Sequence, residues 1–252
     1  MAELVENNKI TRDGRALIQA YQKMVQEACA PIFWGSKETG EIKDNGTVIF
    51  AELEGQTIAL TAAHVAEALA SFIEEGGTAC RIGKADFFTP PLFTRHPKPA
   101  IDIAFYCLDP HLVSLAGAKP VSFSMWPLQP ARDGEIMLLG GFPGVFRNER
   151  ESEVNFEFFF YTGRVDGCID HQMRILLDLE NSNPLTQEKI DAGFRLGGCS
   201  GGPVFRHIER GFMEHIELAG IISDGVSSFE CFYAHELSSL TKEGDFSTET
   251  AS

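Results

Sequence analysis

Short runs rich in Ile, Val, Phe and Thr, each cut off within a few residues by Gly, Pro or Asp, fill most of this chain. They restrict it to a fold built chiefly of β-strands. Gly46–Phe50, Thr57–Thr61 and Ile103–Tyr106 are of this kind, in a block from about residue 32 to 122. One short helical turn is predicted within that block, at 65–72. A break follows at 124–134, where two prolines and a glycine separate apolar runs. The same texture then returns at 136–139, 156–165, 174–179, 204–205, 217–223 and 229–233. Two β-rich halves of similar size result, each an antiparallel sheet or barrel. Ahead of them, Leu17, Tyr21, Met24 and Ala28 fall at i, i+4, i+7 and i+11. That spacing predicts an amphipathic helix over 12–28, packed on the body, with a helix that binds a regulatory protein partner as the alternative. The expected organisation is a helical extension (1–30), a first half (31–123), a linker (124–134), a second half (135–240) and a polar tail (241–252). The charged stretch 147–153 and the polar stretch 181–191 read as exposed loops.

Charge narrows the range of functions. Lys plus Arg is 21 against 36 for Asp plus Glu, a net charge of −15. Such a chain lacks the basic face that replaces phosphate counterions, so no nucleic-acid partner is expected. No anionic membrane partner is expected either. No stretch approaches the roughly 18–20 apolar residues of a membrane span. The opening residues are acidic and polar and do not read as a secretory signal. The six cysteines are scattered singly without a CxxC pair, which fits a reduced, cytoplasmic protein. Cys107 and Cys231 read as small buried hydrophobes.

Chemistry concentrates in Gly198-Cys199-Ser200-Gly201-Gly202-Pro203. A nucleophilic serine needs an exposed hydroxyl on a tight turn, a neighbouring base, and backbone N–H groups aimed at the oxyanion of the tetrahedral intermediate. Flanking glycines allow that turn and the close approach of a substrate carbonyl. Two further segments supply the other types. Thr61-Ala62-Ala63-His64-Val65 ends a strand-like run with a histidine, and Asp102-Ile103-Ala104 opens another with an acid.

A T-x-x-H-V segment, a D-I-A segment and a G-x-S-G-G-P segment in this order resemble the trypsin-like (chymotrypsin-fold) serine proteases. The resemblance is closest to the disulfide-free bacterial HtrA-type peptidases and covers roughly residues 32–235. It implies an all-β fold of two six-stranded antiparallel Greek-key β-barrels with the active site in the cleft between them. An N-terminal helix and a short C-terminal helical segment would be added to these. It implies Ser200 as nucleophile, His64 as general base and Asp102 as the group that orients His64. The oxyanion hole would be the N–H groups of Gly198 and Ser200. Gly220–Gly225 resembles the strand that pairs with the substrate backbone, so Ser223, Asp224 and Gly225 would wall the side-chain pocket and Phe194 would lie near its base. The implied partner is a protein or peptide substrate, and no metal or organic cofactor is implied. About 17 residues follow His235, too few for the PDZ domain that HtrA-type enzymes often carry. Cys199 stands where secreted relatives carry the aspartate that pairs with a newly cut N-terminus, so activation by that route is not expected.

Four other readings compete. Gly198–Gly202 also matches the G-x-S-x-G elbow of α/β-hydrolases, for which Asp224 and His235 are the formal partners. The Pro203 that follows speaks against the helix that fold requires. Cys199 could serve as a thiol nucleophile. The domain could instead be a latent or inactive peptide-binding module. Finally, Gly140–Gly144 could be a phosphate loop, but it lacks the Lys-Ser/Thr that would follow and reads as a β-turn. His96, His111, His171, His207, His215 and His235 show no metal-ligand spacing. His207 and His215 are eight apart, with no cysteine or carboxylate set that closes a site, and all six read as surface or core residues.

Overall fold

The computed structural model describes residues 5–6, 9–10, 12–36, 38–87, 91–123, 128–150, 153–177, 197–211, 213–226 and 231–241. A small hairpin, β1 (Val5–Glu6) with β2 (Lys9–Ile10), precedes α1 (Arg12–Glu27). The first half holds β3 (Cys29–Gly35), β4 (Ile42–Leu53), β5 (Gln56–Thr61), α2 (Ala63–Glu74), β6 (Ala79–Ile82) and β7 (Ala85–Phe87). It continues with β8 (Thr94–Arg95), β9 (Ala104–Leu108), α3 (Pro110–Ala116) and β10 (Val121–Ser122). The second half holds β11 (Ile136–Gly141), a 3-10 turn (Gly144–Phe146), β12 (Arg147–Arg150), β13 (Glu153–Phe156), β14 (Phe159–Ile169), β15 (Gln172–Leu177), β16 (Pro203–Arg210), β17 (Met213–Val226) and β18 (Cys231–Glu236).

The second half closes. Its strands run β11-β14-β15-β18-β17-β16 around a six-stranded barrel, and β11 meets β16 through the pairs Met137↔Arg206, Leu138↔Phe205 and Leu139↔Val204. The first half is an eight-stranded sheet in the order β7-β6-β3-β4-β5-β9-β8, with β10 added parallel to β4. Among the described residues this path does not close, so one of the two expected barrels is present as a closed barrel. Its end strands, β7 and β8, are three and two residues long. Edges that short offer little ladder for closure.

Side-chain alternation explains the core. Ile32, Trp34, Val48, Phe50 and Leu69 fill the inside of the first half, and Met137, Phe159, Ile175, Val204 and Phe232 fill the barrel. A third cluster joins the halves: Ile49, Leu60 and Ile103 meet Leu138, Phe158, Leu218 and Ile221, with Tyr21 and Val25 of α1 among them. The apolar face of α1 is therefore spent on the body. Its stripe runs through Tyr21, Val25 and Ala28, while Met24, expected on that face, is exposed. Residues 128–131 of the expected linker are pinned. Arg206 Nη2 donates to the Gln129 and Pro130 carbonyls at 2.8 and 2.9 Å, and the Ala131 N–H donates to buried Glu236 at 2.7 Å.

Local expectations fared unevenly. The helical turn predicted at 65–72 is the longer α2. The charged stretch expected as a loop is the hairpin β12–β13. Cross-strand pairing supplies what its hydrophilic sequence does not signal. Gly140 and Gly141 end strand β11, and Gly144 opens the 3-10 turn. Cys107 is exposed, because it points off the outer face of β9, whereas Cys231 is buried; all six cysteines are free thiols. After β18, residues 237–241 form a turn and a bridge, with no helix in them; the rest of the expected C-terminal helical segment and the 181–191 stretch lie outside the described residues. No helix of the described residues is long and apolar enough to cross a membrane.

Candidate active site

β5 ends at Thr61, and the chain turns directly into α2, with Ala62 at the N-cap and His64 in the first turn. Alanine has no side chain to satisfy the free N–H groups of a helix start. Asp102 does this from across the fold. Its Oδ1 accepts the His64 backbone N–H at 2.9 Å, and its Oδ2 lies 2.7 Å from His64 Nδ1. One carboxylate thus caps the helix and grips the ring at two points. A carboxylate only accepts, so Nδ1 carries the proton and Nε2 is left with its lone pair outward.

The electrostatics agree with that geometry. The Asp102 hydrogen bond raises the His64 imidazole above its usual value. Partial burial opposes the rise, and the charges of Asp102, Asp224 and Glu67 add to it. Burial by itself would raise the Asp102 carboxyl, but the hydrogen bond and charge of His64 outweigh it and hold the group below its usual value. The pair is therefore arranged to stabilise an imidazolium.

Ser200 sits on a turn clasped by both halves. Its carbonyl accepts from the Thr47 N–H of β4 at 2.9 Å, and the Gly201 N–H donates to Ile222 of β17 at 2.7 Å. Thr47 is the central fastener. Its hydroxyl donates to the Gly198 carbonyl at 2.8 Å and accepts from the Phe142 N–H at 3.0 Å, while its own carbonyl accepts from the Thr61 hydroxyl at 2.7 Å. Asn45 adds a bond from Nδ2 to the Phe142 carbonyl at 3.0 Å, and the Gly144 N–H donates to Gly197 at 2.9 Å. Asn45, Thr47 and Thr61 were not legible as site residues. Their only signal is membership of strand-like runs, and their partners lie up to 151 residues away.

Two glycines in this turn are required by geometry. Gly198 has φ +95°, and a Cβ there would fall 2.4 Å from Asn45 Nδ2 and 2.7 Å from the Phe142 carbonyl oxygen. Gly201 has φ +85°, and its Cβ would lie 2.1 Å from the Thr47 carbonyl oxygen and 3.0 Å from the Ala62 nitrogen. That second contact sets the serine turn against the start of α2, beside His64. Among the described residues the Gly198 and Ser200 N–H groups donate to no backbone carbonyl.

The Ser200 hydroxyl itself donates to the Ser223 carbonyl at 3.2 Å. Among the described residues no hydrogen bond joins it to His64, so the His64–Asp102 leg is formed and the Ser200–His64 leg is not. Ser223 lies at the register shift of β17 between Ile222 and Asp224. Beyond it, Asp224, Gly225 and Val226 pair with β18 alone, while the β16 side of β17 ends at the pair Pro203↔Ile221. Among the described residues, no strand pairs with the other edge of 224–226, next to Ser200. The Asp224 carboxylate accepts the Gly225 N–H at 2.7 Å. Phe194 lies outside the described residues.

Cys199 is fully buried, and burial drives its thiol upward, away from the thiolate a nucleophile needs. His235 is buried on β18, on the face opposite the barrel-core residues Phe232 and Ala234, and among the described residues no helix follows Ser200, so the hydrolase-elbow order finds no matching architecture there. Comparison with known proteins finds no matching family model and no matching curated protein. Among solved structures the chain is similar to the active form of the Rv3671c protease from M. tuberculosis, at 17% identity and TM-score 0.49 over 93% of this chain and 89% of that one. It is also similar to a structure from work on aromatic interactions in the coupled folding and binding of the disordered Sesbania mosaic virus VPg protein. That likeness has 11% identity and TM-score 0.46 over 82% of this chain and 85% of that one. At that identity and score neither likeness carries the functional reading, which rests on the residues of the site.

Proposed function

We propose that this chain is a serine endopeptidase acting through an acyl-enzyme. The observation that carries the reading is the two-point grip of Asp102 on His64 beside a glycine-flanked serine turn. His64 Nε2 takes the Ser200 proton as Oγ attacks the scissile carbonyl. The oxyanion is met by the Gly198 and Ser200 N–H groups, and His64 returns the proton to the leaving amine. The substrate backbone adds as a strand along 223–226, with Ser223, Asp224 and Gly225 lining the side-chain pocket. Attack requires the Ser200 hydroxyl to leave the Ser223 carbonyl and turn to His64. A substrate N–H that takes over that carbonyl would release it.

The same Ser200–Ser223 bond favours a second reading, a latent domain that holds peptide without cutting it. Labelling with a fluorophosphonate probe separates the two. The enzyme reading expects label on wild type and Cys199→Ala and none on Ser200→Ala. Folded wild-type protein that takes no label would overturn it in favour of the latent module.

A further inference from the structure

A carboxylate stands on the strand that holds the Ser200 hydroxyl. The Ser223 carbonyl accepts that hydroxyl at 3.2 Å, and Asp224 follows directly. The register shift at Ser223 sets Asp224 opposite Tyr233. Residues paired across two strands share a face, and Phe232 and Ala234, on either side of Tyr233, point into the barrel core. Asp224 and Tyr233 therefore lie on the outer face, Asp224 exposed and Tyr233 half-buried. The charge of Asp224 reaches His64 and helps to raise its imidazole. Among the described residues no strand pairs with the other edge of 224–226.

The two other acids that raise His64 are already matched with cations. Asp102 holds the imidazole itself, and Glu67 pairs with Arg95. Asp224 differs. Among the described residues its carboxylate accepts the N–H of its own neighbour Gly225, at 2.7 Å, and pairs with no cation. Arg174 stands across Tyr233 from it in the same row of the sheet, but is turned to Asp166, donating from Nη2 to the Asp166 carbonyl at 3.1 Å and to its carboxylate. One peptide N–H leaves the charge of a carboxylate in place, and most of its roughly four acceptor positions open. An exposed carboxylate is stable in water without a cation, so the fold does not require one here. What gives Asp224 a consequence is its place, one residue past the carbonyl that holds Ser200.

Taking the substrate path of the endopeptidase reading, on which this rests, we propose that Asp224 is a specificity-determining residue, and that the site takes peptides with a Lys or Arg side chain within the few residues before the scissile bond. A peptide laid along 223–226 turns alternate side chains to one face. One of them falls beside Asp224, where an ammonium or guanidinium donates to the open carboxylate positions. The ring of Tyr233, next to Asp224 on the same face, offers the cation and its aliphatic stem a surface to lie against. A Glu or Asp at the same place meets the Asp224 charge and is repelled. The net charge of −15 draws cationic peptides to the surface as a whole, and Asp224 gives that attraction a position.

The test reads binding apart from catalysis. Full-length Ser200→Ala protein, which cannot cut, is titrated by fluorescence anisotropy with three pools of labelled octapeptides. The pools are randomised over uncharged residues except for a single Lys, Ala or Glu at the fourth position. The Lys pool is expected to bind about tenfold tighter than the Ala pool, the scale of one hydrogen bond to a charged group, and the Glu pool more weakly than either. Adding Asp224→Asn is expected to remove the Lys advantage. Adding Glu52→Gln, the same change of charge at an exposed position far along β4, is expected to keep it. Circular dichroism verifies that both variants are folded. Pools that bind equally or not at all, a Lys advantage that survives Asp224→Asn, or one lost equally in Glu52→Gln would each overturn the proposal. Fluorophosphonate labelling of wild type reports on the endopeptidase reading separately. Label without a Lys preference sinks the specificity alone, whereas a Lys preference without label sinks the enzyme and leaves a cation-selecting peptide module.

Discussion

Asp102→Asn tests the catalytic geometry with the least disturbance, since one oxygen becomes one nitrogen. The amide oxygen can still accept the His64 backbone N–H that Oδ1 holds at 2.9 Å, so α2 keeps its cap. The amide nitrogen then faces His64 Nδ1, where Oδ2 stood at 2.7 Å. It can only donate, so Nδ1 must accept and the proton moves to Nε2. The ring is then oriented correctly in the wrong tautomer and cannot take the Ser200 proton. Loss of this kind in a serine triad costs about 10⁴ in rate, or about 5.4 kcal/mol of barrier. A second effect follows from charge. The Asp102 hydrogen bond is the main reason the His64 value is raised, so its loss moves the acid limb of the profile to lower pH. The assay is the second-order rate of fluorophosphonate inactivation measured from about pH 5 to 9. The expected result is a much lower plateau with its acid limb shifted downward. A variant within about tenfold of wild type, or an unmoved acid limb, would refute the assignment of Asp102 as the orienting group.

Two other perturbations probe the surrounding structure. Thr47→Val removes the hydroxyl that joins Gly198 to Phe142 and leaves a buried carbonyl and a buried N–H unanswered. A loss of about 1–3 kcal/mol for each group is expected in urea unfolding, together with slower labelling of Ser200; a total loss under about 1 kcal/mol would count against its fastening role. His235 is buried, and burial holds its folded value below the ordinary 6.5, with the nearby His171 adding to this and the Asp102 charge opposing it. The unfolded chain therefore takes up this proton first, so the stability it contributes is present above 6.5 and is lost as pH falls through that value. His235→Gln should flatten the stability–pH slope by up to about 1.4 kcal/mol per pH unit. His96, shifted the same way by burial, keeps part of the slope in both proteins. A slope identical to that of wild type in urea midpoints would refute the argument.

Local chemistry was legible where it is written in adjacent residues. The glycines around Ser200 announce a turn, the Ala-Ala-His after a strand-like run announces a side chain at a strand's end, and the spacing over 12–28 announces α1. The strands easiest to read were the apolar ones of the cores, such as Thr57–Thr61, because burial itself demands their composition. The hairpin over 147–156 was hidden because β12, Arg-Asn-Glu-Arg, is held by backbone pairing with β13 rather than by an apolar pattern of its own. α1 shows the limit within a correct element. The period gives a helix, but which neighbour covers it decides that Val25 is buried and Met24 is exposed.

The sequence by itself determined the alphabet of this protein: mostly strands, one amphipathic helix, and the His, Asp and Ser types in order along the chain. Tertiary structure decided the rest, because each remaining feature is a contact across a long stretch of chain. Asp102 caps a helix 38 residues away, and Thr47 holds the serine turn from 151 residues away. Closure of one half as a barrel depended on β11 reaching β16, which no local pattern encodes. His207, unremarkable in spacing, met Glu214 and Tyr21 only when the hairpin register and the packing of α1 brought them together. Local propensity acts over a few residues, whereas the energy of these contacts exists only once burial has brought distant segments together.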